Sequence, residues 1–130
     1  MILETSYLVD LFDGRQNAFE RGLDLVETGA VQRVPSPVIV ELSDGVAFGG
    51  EEERRNVQNA LRMYPIAHQD ERLAQRAGEL IARADVASGG ESGIDEVDPV
   101  VAAVAERYDE PVLTANVADF DALGVTVETY

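Results

Sequence analysis

Short apolar runs alternate with longer stretches of helical periodicity from one end of this chain to the other, and this alternation constrains its fold more than any other feature. Met1–Leu3, Val31–Val34, Tyr64–Ala67, Val112–Thr114 and Val125–Val127 read as strands. Between them lie helical stripes: Leu8, Leu11 and Phe12; Phe19, Leu23 and Val26; Val38, Ile39, Leu42 and Val46; Leu73, Ala77, Leu80, Ile81 and Ala84; Val101, Val104, Ala105 and Tyr108. A charged helix is expected from about Glu51 to Met63. Gly14, Gly29 and the Gly49-Gly50 pair supply stops, and Ala87 to Gly93 is the clearest loop. Thr5 or Ser6, Ser36 before Pro37, and Asp98 before Pro99 are the expected helix caps. Strands separated by helices imply right-handed crossovers and a mainly parallel sheet with helices on both faces. At 130 residues the chain forms one α/β domain spanning 1–130.

Composition narrows the chemistry. There is no cysteine, and His68 is the single histidine, so thiolate nucleophiles, disulfides and Cys- or His-based zinc clusters are excluded and oxygen ligands remain. No apolar run reaches the roughly 18–20 residues of a membrane span, and Met1-Ile2-Leu3-Glu4 lacks the basic region of a secretory signal, so a cytoplasmic protein is expected. The 25 acidic residues outnumber the 10 basic ones, every basic residue is arginine, and the net charge is -15. Such a surface repels phosphate backbones and itself at ordinary ionic strength, and both repulsions fade at molar salt, which points to a halophilic cytoplasm; the alternative is an acidic protein whose partner is basic.

In open α/β sheets, ligands bind beyond the carboxyl ends of the strands. Four acids fall there. Glu4 follows the first strand, Glu41 lies in the second turn of the helix after the second strand, Asp98 opens the late apolar helix, and Asp119 follows the strand ending at Thr114. Brought together, these carboxylates would raise one another's pKa unless a divalent cation sat among them, and a hard ion such as Mg²⁺ or Mn²⁺ suits an all-oxygen site. Each has a plainer reading as well: Asp98 as a helix cap, Asp119 as a turn residue, Glu4 as an exposed strand end, Glu41 as a solvated carboxylate.

The same residues carry a family resemblance over nearly the whole chain. Met1-Ile2-Leu3-Glu4-Thr5-Ser6-Tyr7-Leu8 resembles the opening of PIN-domain proteins, and Pro37-Val38-Ile39-Val40-Glu41-Leu42 resembles their second acidic motif. Ile94-Asp95-Glu96-Val97-Asp98-Pro99 followed by Val100 to Ala103 resembles the third, and Thr114-Ala115-Asn116-Val117-Ala118-Asp119-Phe120 the fourth. At this length the chain looks most like the toxins of VapBC toxin-antitoxin pairs. The resemblance implies a five-stranded parallel sheet and a Mg²⁺- or Mn²⁺-dependent endoribonuclease that leaves 3′-hydroxyl and 5′-phosphate ends. By this resemblance Glu4, Asp98 and Asp119 bind the metal, Glu41 acts directly or through water, and Thr5, Ser6 and Asn116 are supporting polar groups. It also implies a homodimer and a VapB-like antitoxin whose C-terminal segment enters the acidic groove.

Two positions depart from the family pattern. The first acid is Glu4, where Asp is usual, and Ala115 stands where a basic residue is common. RNA would be held by arginines, with Arg15, Arg54, Arg55 and Arg107 as candidates. A phosphotransfer receiver needs a lysine that this chain lacks, and an Asp-x-Asp phosphatase needs a pair that Leu3-Glu4-Thr5-Ser6 does not contain. The competing function is a non-catalytic or weakly active PIN-like module that binds antitoxin, RNA or metal, and Glu4 is the feature that favours it.

Overall fold

The computed structural model describes residues 1–47 and 49–130; the Val46 side chain, expected on an apolar helix stripe, lies outside the described residues. The elements run β1 (Ile2–Leu3), α1 (Thr5–Phe12), α2 (Gln16–Glu27), β2 (Val34–Pro35), α3 (Ser36–Ala47), α4 (Glu51–Met63), β3 (Ile66–Ala67), α5 (Glu71–Ser88), α6 (Val97–Tyr108), β4 (Val112–Leu113), α7 (Val117–Ala122) and β5 (Val127–Glu128).

Every strand pairing is parallel. β4 lies between β1 and β5 in a three-stranded sheet, and β2 pairs with β3 in a second ladder. A bridge between Ile2 and Arg33 sets that ladder beside β1: Leu3 N–H donates to Arg33 O and Arg33 N–H to Met1 O, each at 2.9 Å. The strands therefore follow the order β3-β2-β1-β4-β5. The five-stranded parallel sheet is present but divided into three and two, since each strand is only two residues long and Pro35 has no N–H with which to extend a ladder. Two strands also start later than their apolar runs suggest. Val31 to Arg33 reaches β1 only through the single bridge, and the last strand forms at Val127–Glu128.

Helix α6 is the centre of the core. Its residues from Asp98 to Ala105 are all buried, which suits a Val- and Ala-rich helix enclosed on every side; it packs on α5 and against β1, β2 and β4. Tyr7, Phe120, Ile2, Leu3, Leu8 and Leu113 fill the largest fully buried volumes. Helices α1 and α2 approach closely at Gly22, where a Cβ would stand 3.0 Å from the Tyr7 hydroxyl. Ser36 does not cap its own helix through its side chain as expected. Its hydroxyl accepts from Gln69 N–H at 2.9 Å and so ties the start of α3 to the segment after β3.

Candidate active site

Glu4 leaves β1 in extended geometry (φ -94°, ψ 163°) and is itself the N-cap of α1, the role expected of Thr5 or Ser6. Its Oε2 accepts from Ser6 N–H at 2.9 Å, from Ser6 Oγ at 2.5 Å and from Thr114 Oγ1 at 2.7 Å. The additional methylene relative to aspartate is thus taken up by curling the carboxylate back onto the first turn of its own helix, where the unpaired N–H groups favour negative charge. Only 5% of Glu4 is exposed.

Glu41 comes from α3 and meets α1 through Thr5, whose Oγ1 donates to Glu41 Oε1 at 2.7 Å. Its pKa is raised, first by burial and then by the charges of Asp95 and Glu4, with the Thr5 hydrogen bond opposing.

Asp98 is not the cap of α6. Asp95 takes that part, accepting from Val97 N–H at 2.8 Å and from Asp98 N–H at 3.0 Å. Asp98 therefore sits inside the first turn with its carboxylate free of capping duty, yet 4% exposed. Burial, followed by the negative charges of Asp95, Glu4, Glu41 and Asp119, pushes its pKa up to about 7. Three of these neighbours, Glu4, Glu41 and Asp119, are the other acids proposed from the sequence, so the four lie close enough for their charges to act on one another.

Asp119 lies in the first turn of α7 and is joined to Asp98 by Asn116, whose Nδ2 donates to Asp119 Oδ2 at 2.7 Å and to Asp98 Oδ2 at 3.3 Å. Asn116 N–H in turn donates to Thr114 Oγ1 at 2.8 Å, and Ala115 N–H to Ser6 Oγ at 2.9 Å. The loop after β4 is thereby tied to the start of α1.

One pattern repeats across all four acids. Each has one oxygen held by a neutral donor, while Glu4 Oε1, Glu41 Oε2, Asp98 Oδ1 and Asp119 Oδ1 accept no hydrogen bond from the described residues. None of the four forms an ion pair among the described residues. An all-oxygen donor set without a basic partner is chemically suited to a hard divalent cation. No three His, Cys, Asp or Glu side chains among the described residues are grouped so as to hold a metal ion. Of the arginines considered for RNA, Arg107 is engaged elsewhere, donating to both oxygens of Asp70 at 2.8 and 2.9 Å. Arg15, Arg54 and Arg55 are exposed.

Three participants escaped the sequence reading. Asp95 had a usable signal, an aspartate placed to cap the helix just before Asp98. Thr114 stands in the fourth motif but was not singled out. Tyr130, whose hydroxyl donates to Asp10 Oδ2 at 2.8 Å across 120 positions of sequence, had none.

The PIN domain family model matches residues 1–125, and the chain belongs to that family. Its fold is similar to that of VapBC2 from Rickettsia felis bound to a promoter DNA fragment, with a TM-score of 0.82 and 20% identity over 99% of this chain and 97% of the other. DNA-bound VapBC from Salmonella typhimurium is similar at TM-score 0.81 and 20% identity, over 98% and 96% of the two chains. Mycobacterium tuberculosis VapC20, a toxin that cleaves the sarcin-ricin loop, is similar at TM-score 0.73 and 18% identity, over 96% and 95%. Among curated protein sequences, none matches. No helix among the described residues is long and apolar enough to cross a membrane.

Proposed function

We propose that this PIN-domain protein is a Mg²⁺- or Mn²⁺-dependent endoribonuclease and the toxin of a type II toxin-antitoxin pair. The observation that carries this reading is the set of four converging carboxylates, each with one oxygen fixed by a neutral donor, one left free, and no basic partner. Glu4, Asp98 and Asp119 would hold the cation. When bound, it polarises a phosphoryl oxygen and makes water a nucleophile near neutral pH. Thr5 and Asn116 would orient the carboxylates, and Glu41 Oε2, on a group with a raised pKa, would take a proton from the attacking water directly or through a second water.

A groove of about 190 Å³ beside Glu41, lined by Val9, Phe12, Leu42, Asp13 and Glu53 among others, offers both apolar and acidic contacts. These suit an antitoxin segment with apolar anchors and an arginine for the carboxylates. The toxins named above were solved with their antitoxins or cleave RNA, which supports the assignment by family likeness. A cytoplasmic homodimer working in high salt completes the reading.

Incubation of purified protein with structured RNA and Mn²⁺ at molar KCl tests it. Cleavage that EDTA abolishes and Asp98→Asn removes is expected; equal cleavage by wild type and variant would refute the assignment. The engagement of Glu4 Oε2 as a helix cap favours the second reading, a module that binds without cutting. Mn²⁺ binding with no RNA cleavage would establish that one instead.

A further inference from the structure

The connection from α5 to α6 is tied down by side chains. Asp85, in the last turn of α5, accepts through Oδ1 from Ser92 N–H at 2.8 Å and from Ser92 Oγ at 2.6 Å. Ser92 Oγ in turn accepts from Ile94 N–H at 3.4 Å; Gly93 turns the chain between them at φ 78°, and Ile94 is buried in the core. The next residue is Asp95, which therefore reaches the head of α6 from an anchored loop.

Asp95 Oδ1 accepts from Val97 N–H at 2.8 Å and from Asp98 N–H at 3.0 Å. Residue 99 is proline and has no N–H. Asp95 thus holds the last two amides that the start of α6 leaves without a helical partner. Asp98 depends on this arrangement in a way that Glu4 does not. Glu4 Oε2 is fixed by three donors, whereas the Asp98 carboxylate receives one, Asn116 Nδ2, at 3.3 Å. Its place in the site is set by the backbone of its own turn, and the side chain that fixes that turn is Asp95. Asp95 is itself exposed, and its Oδ2 accepts no hydrogen bond and joins no ion pair among the described residues. After burial, its charge is the strongest influence on Asp98.

We propose that Asp95 is a positioning residue for the carboxylate site: by holding the amides of Val97 and Asp98 it fixes the first turn of α6, and with it the Asp98 carboxylate, where a divalent cation would be bound. The proposal rests on the metal-dependent nuclease reading and adds to it a residue that contributes no ligand. It assigns the role to the acceptor oxygen of Asp95 and not to its charge. Asparagine and serine supply a neutral acceptor at a helix start, whereas alanine and glycine supply none. Glycine disturbs a helix start less than alanine, so Asp95→Gly keeps the comparison open if Asp95→Ala folds poorly.

Calorimetric titration of the wild type and these four variants with Mn²⁺ alone, in molar KCl where the field of a single exposed charge is largely screened, tests this together with steady-state RNA cleavage. Asp95→Ala and Asp95→Gly are expected to bind Mn²⁺ at least about tenfold more weakly and to lose kcat by a similar factor, with KM for RNA little changed. Asp95→Asn and Asp95→Ser should stay within about threefold of the wild type, a rescue that follows the acceptor oxygen. A residue that only stabilised the helix would lower the melting temperature of Asp95→Ala and Asp95→Gly and leave the Mn²⁺ affinity of the folded protein unchanged. That result, or Asp95→Asn and Asp95→Ser binding as weakly as Asp95→Ala, overturns the proposal while leaving the nuclease assignment intact. Failure of the wild type itself to bind Mn²⁺ and cleave RNA refutes that assignment and the proposal with it.

Discussion

The Thr114 hydroxyl donates to Glu4 Oε2 at 2.7 Å, joining the ends of neighbouring parallel strands through a side chain that is fully buried. Thr114 does two jobs with one group, since the same oxygen accepts Asn116 N–H at 2.8 Å. Methyl and hydroxyl are therefore separable by substitution. Thr114→Val keeps the volume but removes one of the three donors to Glu4 Oε2 and leaves the Asn116 amide without its acceptor, a loss of about 1–3 kcal/mol, and should abolish most cleavage. Thr114→Ser keeps the hydroxyl and loses a methyl group worth about 1 kcal/mol, and should retain cleavage. Chemical denaturation and RNA cleavage measured on both variants check this. Equal activity of the two would show that the hydroxyl is structural only.

Asp98 ties activity to a cost in stability. Folded Asp98 keeps its proton up to about pH 7, whereas an unfolded aspartate releases its proton near pH ~3.9. Between these values the native state binds a proton that the unfolded chain lacks, so stability falls as pH rises through the window and levels off above it. Glu41, also raised, adds in the same direction. Asp70 and Asp85, held below the usual carboxylate range chiefly by hydrogen bonds from Arg107 and Ser92, act oppositely, and their contribution is lost only as pH falls below the usual carboxylate range, for Asp70 toward about 2. Without added metal, Asp98→Asn should flatten the decline between pH 5 and 8 and stabilise the protein at pH 8 by on the order of 2 kcal/mol, while removing cleavage. Thermal melts across that range decide the matter; identical pH profiles for the two proteins would show that Asp98 is not the group responsible.

Much of this was legible in the sequence, and the losses have physical causes. The α/β alternation and the four acids follow from periodicity and motif order, because apolar spacing and the strand-end rule act locally. The capping assignments at Thr5 or Ser6, at Ser36 and at Asp98 failed for one shared reason. A cap is defined by which oxygen reaches which N–H, and Ser36 found Gln69 while Asp95 reached the N–H groups of Val97 and Asp98 first. Glutamate is a poor cap by preference, and it serves at position 4 because Ser6 and Thr114 hold it there. The Tyr130–Asp10 contact depends on where β5 leads the chain, which no local pattern encodes.

Asp109 ends α6 in the left-handed region, φ 52° and ψ 47°, and is the one non-glycine residue with positive φ among those described. An L-residue there pays roughly 1 kcal/mol in steric strain, and a negative charge at a helix C-terminus is unfavourable as well. The site acids lie at the opposite ends of β1 and β4, beyond Leu3 and Leu113. Asp109→Gly should therefore raise stability by about 1 kcal/mol and the melting temperature by about 4 °C, with RNA cleavage unchanged. A melting temperature equal to or below that of the wild type would mean that the aspartate side chain makes a compensating contact.

Salt acts on this protein in two opposed ways, and their magnitudes predict which prevails. The ion pairs among the described residues, such as Arg76 with Glu106 and Arg107 with Asp70, are mostly solvent-accessible, and pairs of this kind are worth about 0–1 kcal/mol each and weaken as salt is added. Against them stands a net charge of -15 on 130 residues, with no lysine and with four unpaired carboxylates crowded at the strand ends. Between 0.1 M and 1 M salt the screening length falls from about 10 Å to about 3 Å, which suppresses repulsion between separated charges more than attraction within a close pair. The melting temperature should rise by several degrees between 0.1 M and 2 M KCl, measured at pH 8 with EDTA present to exclude binding of contaminating metal. Asp98→Asn, with one fewer charge in the crowded site, should gain less from salt than the wild type. A melting temperature that falls with KCl would show that the arginine pairs outweigh the net charge, and the expectation of a salt-adapted surface would be wrong.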